Sequence, residues 1–529
     1  VSPKTLANGR VWVDEGAVAE ARTIERGVVL PEGHTGSSLF HRVLAEAVAE
    51  FPSELGAAKL PEQGAAFKRD YGEILARLEA ERTVSPKRVE IARFILRRTQ
   101  AVLEYSDGAR RIALAEHLAQ APGDTPLESV SLGDAPSLRV EVPLDGKLYR
   151  GREVIDLAER LLQEHQLTRA ALAALHWIVE LIEQRGGVLD LRGERFALLG
   201  AGAELATTRM LLQAGATVLW IDVSDPADAL AEQRPNAGTL VTCQPASNVL
   251  EAPRSVAAAI ERFAAAGNGP VHLGMFAYAS GASKEWRLGA AMNAIAATLE
   301  RRQLKSLSLL VSPTTVTTWQ PESLSGAEQQ RAQAGMWKNA LCRAGLLPAP
   351  GHYSAHGTHI GRSTVSIQGL SYQAAQYISK LAAAETWAVY GNDLQGDRRD
   401  PITVSANVAG ITRTRSLAHP LFQAAFIGAP RFGVRIFEPA STRALSGLLI
   451  LHDLLNPAAK GAAAQQPADP REKAAGLLSQ QIHGGIYSLP YVLEHAIRMA
   501  ALIGMSTHPS LLLRRAPKSK SPSAVAAAE

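Results

Sequence analysis

From Arg192 to about residue 455, short apolar runs alternate with stretches of helical periodicity, the pattern of crossover units that feed a parallel sheet. The strand-like runs are "RFALLG" (195–200), "TVLWIDV" (217–223), "TLVTC" (239–243), "PVHLGMFAYA" (270–279), "SLSLLVSP" (306–313) and "DPITVSANVAG" (400–410). The intervening spacing predicts helices over 203–215, 254–267, 284–303 and 371–388, and a further one over 439–455. Residues 314–362 are polar and rich in Gly, Pro and His, and read as an insertion ahead of the 371–388 helix.

Residues 1–190 carry a different pattern: strand-like "GRVWVDEG", "ERGVVLP" and "SLRVEVPL" around apolar-periodic helices at 86–103, 151–165 and 167–185, with no nucleotide signature. The expected fold class is therefore α/β, a doubly wound parallel sheet of Rossmann type over 191–456, preceded by a mainly helical accessory domain over 1–190. By composition, 457–472 reads as a linker, 473–513 as a C-terminal helical segment and 514–529 as a disordered tail.

At 529 residues the chain exceeds what one hydrophobic core usually serves, which agrees with more than one domain. Composition is that of a globular protein, 46% hydrophobic and 20% charged, and a net charge of +4 is too small for a dedicated nucleic-acid binder. Two cysteines, Cys243 and Cys342, cannot build a disulfide framework and point to a reducing compartment. With no apolar run long enough to span a bilayer and no secretion-signal pattern, the expected location is the cytoplasm.

In "FALLGAGAELATTRMLLQAGATVLWID", Gly200 and Gly202 lie between a strand and a helix, where a phosphate can approach bare backbone amides and the positive end of the helix dipole. The third glycine of the usual pattern is replaced by Leu205, with the small residues Ala203 and Ala206 beside it. Asp222 follows Gly200 by 22 residues (222 − 200) and ends the next strand, where a carboxylate would accept from ribose hydroxyls and repel a 2′-phosphate. The expected cofactor is NAD or NADP, with NAD preferred.

Taken in order, these segments resemble the short-chain dehydrogenase/reductase family over about residues 193–455. "VHLGMFAYASG" resembles the family's fourth strand and its small-residue loop near the cofactor, which includes Ala279. "AAMNAI" resembles the following helix, with Asn293 at the structural asparagine, and "SLSLLVSP" ends at Ser312, where the catalytic serine is expected. "QYISKLAAAETWA" resembles the tyrosine–lysine helix with Lys380, and "ITVSANVAGITRTRS" the sixth strand and nicotinamide loop with Gly410, Thr412 and Thr414, Ala409 standing for the usual proline. The resemblance implies hydride transfer between nicotinamide and a carbonyl or alcohol substrate. In it a tyrosine passes the proton, Lys380 lowers the phenol pKa and holds the nicotinamide ribose, and Ser312 fixes the substrate oxygen. It also implies a homo-oligomer, and a small-molecule substrate that could be an acyl thioester.

The family's tyrosine precedes its lysine by four residues, but Gln376 stands there in this chain. Tyr377 is three before Lys380 and Tyr372 is eight before it, so either is a candidate proton donor. Spacings of three and four place side chains on opposite sides of a helical row, roughly 60° and 40° away. Two alternatives follow from the departure: reduction of an activated double bond on the same scaffold, or a catalytically silent nucleotide-binding or scaffolding protein.

Other clusters read as structural. His352, His356 and His359 in "GHYSAHGTH" have helical metal-ligand spacing, but Gly351 and Gly357 make the stretch a loop, so no metal is expected and the insertion reads as a lid over the substrate. Tyr278 and Lys284 mark a strand end and a helix start, His34 lies in a turn before a cap at Ser37 or Ser38, and 87–100 reads as a helix with a solvated basic face.

Overall fold

The computed structural model describes residues 25–231, 235–267, 269–279, 283–387, 402–414, 417, 419–459 and 478–510. The expected strand at 9–16, most of the 457–472 linker and the 514–529 tail lie outside them. The architecture is α/β, a seven-stranded and mostly parallel sheet with helices on both faces.

In chain order the strands are β1 (Glu128–Asp134), β2 (Arg195–Leu199), β3 (Thr217–Ile221), β4 (Ala237–Thr242), β5 (Val271–Met275), β6 (Leu304–Val311) and β7 (Thr403–Val408). Their spatial order is β7-β6-β5-β2-β3-β4-β1. The six strands β2 to β7 are parallel and follow the doubly wound Rossmann order, and β1 adds antiparallel to β4 at the edge. Each of these six coincides with an apolar run of the sequence. β1 does not show in the apolar pattern, because "ESVSLGD" is polar and mostly exposed, as an edge strand can be, with Leu132 packed against the core.

Side chains alternate between two cores across the sheet, as the pleat requires. Phe196, Leu198, Val218 and Trp220 enter one core, whereas Ala197, Leu199, Leu219 and Ile221 enter the other. Helices α1 (Gly36–Glu50), α2 (Gly64–Val84), α3 (Arg88–Ala101), α7 (Pro253–Ala266), α8 (Lys284–Thr298) and α9 (Leu370–Leu381) contribute to the core holding Leu199. Helices α4 (Glu153–Gln163), α5 (Arg169–Gln184), the short α6 (Thr208–Gln213) and α11 (Pro439–Leu455) contribute to the core holding Leu198. Residues 25–190, part of the stretch expected as an accessory domain, are thus distributed over both faces and one edge of the same sheet. Apolar periodicity reports that a helix buries a stripe but not what it is buried against.

Three local expectations are corrected. α1 is capped by Thr35, which exchanges hydrogen bonds with Ser38 in a capping box, rather than by Ser37 or Ser38. The basic helix expected to be solvated buries Arg88 at its start. The insertion holds helices Pro321–Ala332 and Met336–Arg343 and the hairpin His352–Ala355/Thr358–Gly361, which packs on α2 instead of closing over a substrate site.

Beyond β7, α10 (Pro420–Gly428) and α12 (Leu493–Thr507) pack face to face through small residues. A Cβ on Gly504 would stand 1.9 Å from the Ala424 carbonyl oxygen, and one on Gly428 2.0 Å from that of Ala500. Backbone cannot yield as a side-chain tip can, so Gly504→Ala must push the helices apart. Against overpacking of about 1–3 kcal/mol stands a helix-propensity gain of about 1 kcal/mol, and a net loss of up to about 2 kcal/mol is expected in urea unfolding.

Candidate functional site

A cavity of about 540 Å³ opens at the C-terminal ends of β2, β5, β6 and β7. β2 and β5 are sheet neighbours whose connections leave in opposite directions, which is the switch point where ligands bind on such sheets. Its walls include the turn Ala203–Leu205 after β2, Phe276–Tyr278 after β5, Ser312–Thr314 after β6 and Ala409–Thr412 after β7. One face of α9, with Tyr372, Gln376 and Ser379, closes the side, and α10 and α12 form an apolar far end.

α9 has two chemically distinct faces. Tyr372, Gln376 and Ser379 are spaced four and three apart and face the cavity, where the Gln376 Oε1 accepts from the Ser312 backbone N–H at 2.9 Å. The Ser312 hydroxyl is 2.9 Å from that of Thr314. Tyr372 meets Tyr278 edge to face, with ring centroids 6.3 Å apart. Burial pushes the Tyr372 phenol up to about 12, a hydrogen bond with Ser312 acting against it. Among the described lining residues there is no Lys, Arg or His to draw it down.

Gln373, Tyr377 and Lys380 form the adjacent face, about 100° around the helix, and Tyr377 and Lys380 are only 0% and 4% exposed. The Lys380 ammonium donates to Glu79 Oε1 at 2.5 Å and to the Val316 carbonyl at 2.6 Å, and the Tyr377 hydroxyl donates to Glu79 Oε2 at 2.8 Å. Arg82 binds Glu79 through two nitrogens at 2.8 Å each and reaches Glu385 at 3.1 Å, and Arg88 binds Glu385 at 2.8 Å. Burial alone would raise the Glu79 carboxyl, but Arg82 and Lys380 outweigh it and hold it at about 2. Burial lowers the Lys380 ammonium against the pull of Glu79, and burial beside Glu79 raises the Tyr377 phenol, which stays protonated. Tyr377 and Lys380, expected as catalytic groups, therefore serve a buried ion network joining α9 to α2 and α3, and do not share a site with Ser312.

The other expected residues divide between wall and frame. Ser312, Tyr372, Ala203, Gly410 and Thr412 line the cavity. Asn293 lies behind it, its amide donating to the Gly289 carbonyl at 2.8 Å and to Ser379 at 3.3 Å. Ala279 is not among the wall residues, whereas Ala277 and Tyr278 are. Gly200 has φ +85°, and a Cβ there would lie 2.2 Å from the Ala277 nitrogen, so its bareness lets the β2 and β5 ends meet. Gly202 donates its N–H to Asp222 Oδ2 at 3.0 Å, and Asp222 Oδ1 accepts from the Ser224 N–H and hydroxyl at 2.8 and 2.7 Å.

The crevice lies where a sheet of this order presents its ligands, and Asp222 follows β3, although Gly200, Gly202 and Asp222 are not among the wall residues. A pyrophosphate would find little there, because the Gly202 amide is already engaged and α6 starts only at Thr208 and spans six residues. The expected helix over 203–215 is shorter because residues 201–207 form successive turns, tied by the Thr208 hydroxyl to the Ala201 carbonyl at 2.6 Å.

Gln376, Ser379 and Tyr278 were missed as site residues. The Tyr372–Gln376–Ser379 row has the same sequence spacing as Gln373–Tyr377–Lys380, so spacing alone does not tell which row faces the cavity. Among the described residues no group of three or more His, Cys, Asp or Glu could hold a metal; His352 and His359 face each other across the hairpin at 4.9 Å. No helix among them is long and apolar enough to cross a membrane. No family model, curated protein or solved structure matches the chain.

Proposed function

We propose that this chain is an NAD(P)-dependent oxidoreductase that reduces a carbonyl group, with Tyr372 as the proton donor in place of the Tyr377–Lys380 pair. One observation carries the reading: Ser312 and Tyr372 meet at the wall of a cavity at the sheet's switch point, beside the turn after β2 and the segment after β7. A bound nicotinamide supplies the hydride. Asp222 would hold the adenosine ribose, sharing its carboxylate with Gly202 and Ser224, and favours NAD by repelling a 2′-phosphate.

The protein's own work is on the oxygen. Ser312 and Tyr372 offer hydroxyl donors to a carbonyl oxygen, stabilising the negative charge that grows there as the carbon is reduced. The Tyr372 proton moves to that oxygen, and water reprotonates the phenolate. Because the phenol is protonated near neutral pH, the site favours reduction over the alcohol oxidation that a phenolate base would drive.

A second reading, nucleotide binding without turnover, is favoured by Gln376 occupying the wall position from which a cation would activate the phenol. Titration with NADH followed by turnover on a carbonyl panel separates the two. Binding with turnover supports the first and binding alone the second; no NADH binding by the intact protein rejects both. Asp222→Ala is expected to weaken NADH binding roughly 10- to 100-fold, the effect of losing hydrogen bonds to a charged group.

A further inference from the structure

A second cavity of about 730 Å³ adjoins the first, and Phe426, Val434 and Ile436 line both. The two differ in chemistry. The far end of the first is built from α10 and α12 side chains such as Ala425, Leu493 and Ala496, whereas the second carries Lys338, Arg413, Arg431 and Arg435. Arg435 is neutralised by Asp145 at 2.6 Å and Glu164 at 3.0 Å, and Arg413 faces Glu438 at 3.7 Å. Among the described residues neither Lys338 nor Arg431 has an ion-pair partner.

Lys338 is half-buried, and its ammonium lies 5.5 Å from the Trp337 ring centroid and 5.6 Å from that of Phe432. Phe432 is also a wall of the first cavity, so this cation stands where the apolar chamber gives way to the polar one. A partly buried cation held by rings alone loses hydration without gaining a counter-charge, and burial lowers its pKa. An anion arriving there would offset that cost, and an apolar body behind it would fill the first chamber.

We propose that the two cavities hold one amphiphile, an apolar chain in the first with a carboxylate or phosphate head on Lys338 and Arg431 in the second. This deepens the carbonyl-reductase reading by naming its substrate class, an anionic amphiphile whose carbonyl lies at the Tyr372 end, away from its head. The binding itself does not depend on that reading, because it is measured without nicotinamide or turnover.

The experiment is calorimetric titration of the full chain, below micellar concentrations, with n-alkyl carboxylates and n-alkyl phosphates of increasing length and with the matching alkanols as neutral probes. Affinity is expected to rise roughly three- to four-fold per methylene until the chamber is full, then to level off. The carboxylate and phosphate arms tell which head the site takes. In K338Q/R431Q, affinity for that anion falls about ten-fold or more while alkanol affinity holds, and Ala496→Phe shortens the length at which the rise stops. Affinity independent of chain length overturns the proposal, as does an equal response of alkanols and anions to K338Q/R431Q. Failure of NADH binding with these outcomes intact would sink the redox reading and leave the amphiphile site standing.

Discussion

Glu79→Ala is expected to lower the unfolding free energy by about 3–5 kcal/mol, the cost of removing one partner from a buried charge network. Glu79 is the acceptor shared by Arg82, Lys380 and Tyr377, so its loss leaves Glu385 alone to balance Arg82, Arg88 and Lys380 in a site closed to water. Urea unfolding followed by circular dichroism measures the loss, and a change below about 1 kcal/mol would show that the cations find other compensation. Lys380→Met should cost less in the Glu79→Ala background than alone, since the surplus cation is then gone.

The same carboxylate sets an acid limit. Its pKa in the folded protein, about 2, lies below the ordinary 4.5, so its contribution is complete above about pH 4.5 and is lost as the pH falls towards 2. Glu79→Gln is expected to flatten the stability profile across that window.

Tyr372→Phe is expected to lower the turnover of carbonyl reduction by 10²- to 10⁴-fold, the range for loss of a positioned general acid. Tyr377→Phe, at the other candidate donor, should leave turnover within a few-fold and act on stability instead, because its hydroxyl serves Glu79. The reverse outcome, with Tyr377 essential and Tyr372 dispensable, would reject the assignment. With the Tyr372 phenol at about 12, the reduction rate should carry no titration from this group across the neutral range, and should fall only as the pH approaches that value and the donor ionises.

The resemblance to the short-chain family remains an inference from residues, and the structure places its two most specific segments differently about the cavity. The segment after β7 delivers Gly410 and Thr412 to the cavity wall. The lysine helix delivers Tyr372 and Gln376 there and turns Lys380 away. Both rows of α9 have the spacing of a helix face, so nothing local to the helix distinguishes them. The decision is made by Glu79, some 300 residues earlier in the chain, whose carboxylate holds the lysine away from the cavity on the adjacent face.

The sequence by itself determined the six parallel strands, most of the helices between them and the doubly wound class, because strand and helix periods are local properties written into neighbouring residues. It also marked Ser312, Gly410 and Thr412, which lie at strand ends where a parallel sheet must present its loops. Only the tertiary structure decided that residues 25–190 share the cores of the same sheet, that β1 completes the edge, and which face of α9 meets the cavity. Those outcomes depend on which distant charge or apolar stripe a side chain meets, and a buried ammonium goes to its carboxylate because leaving it unpaired costs several kcal/mol.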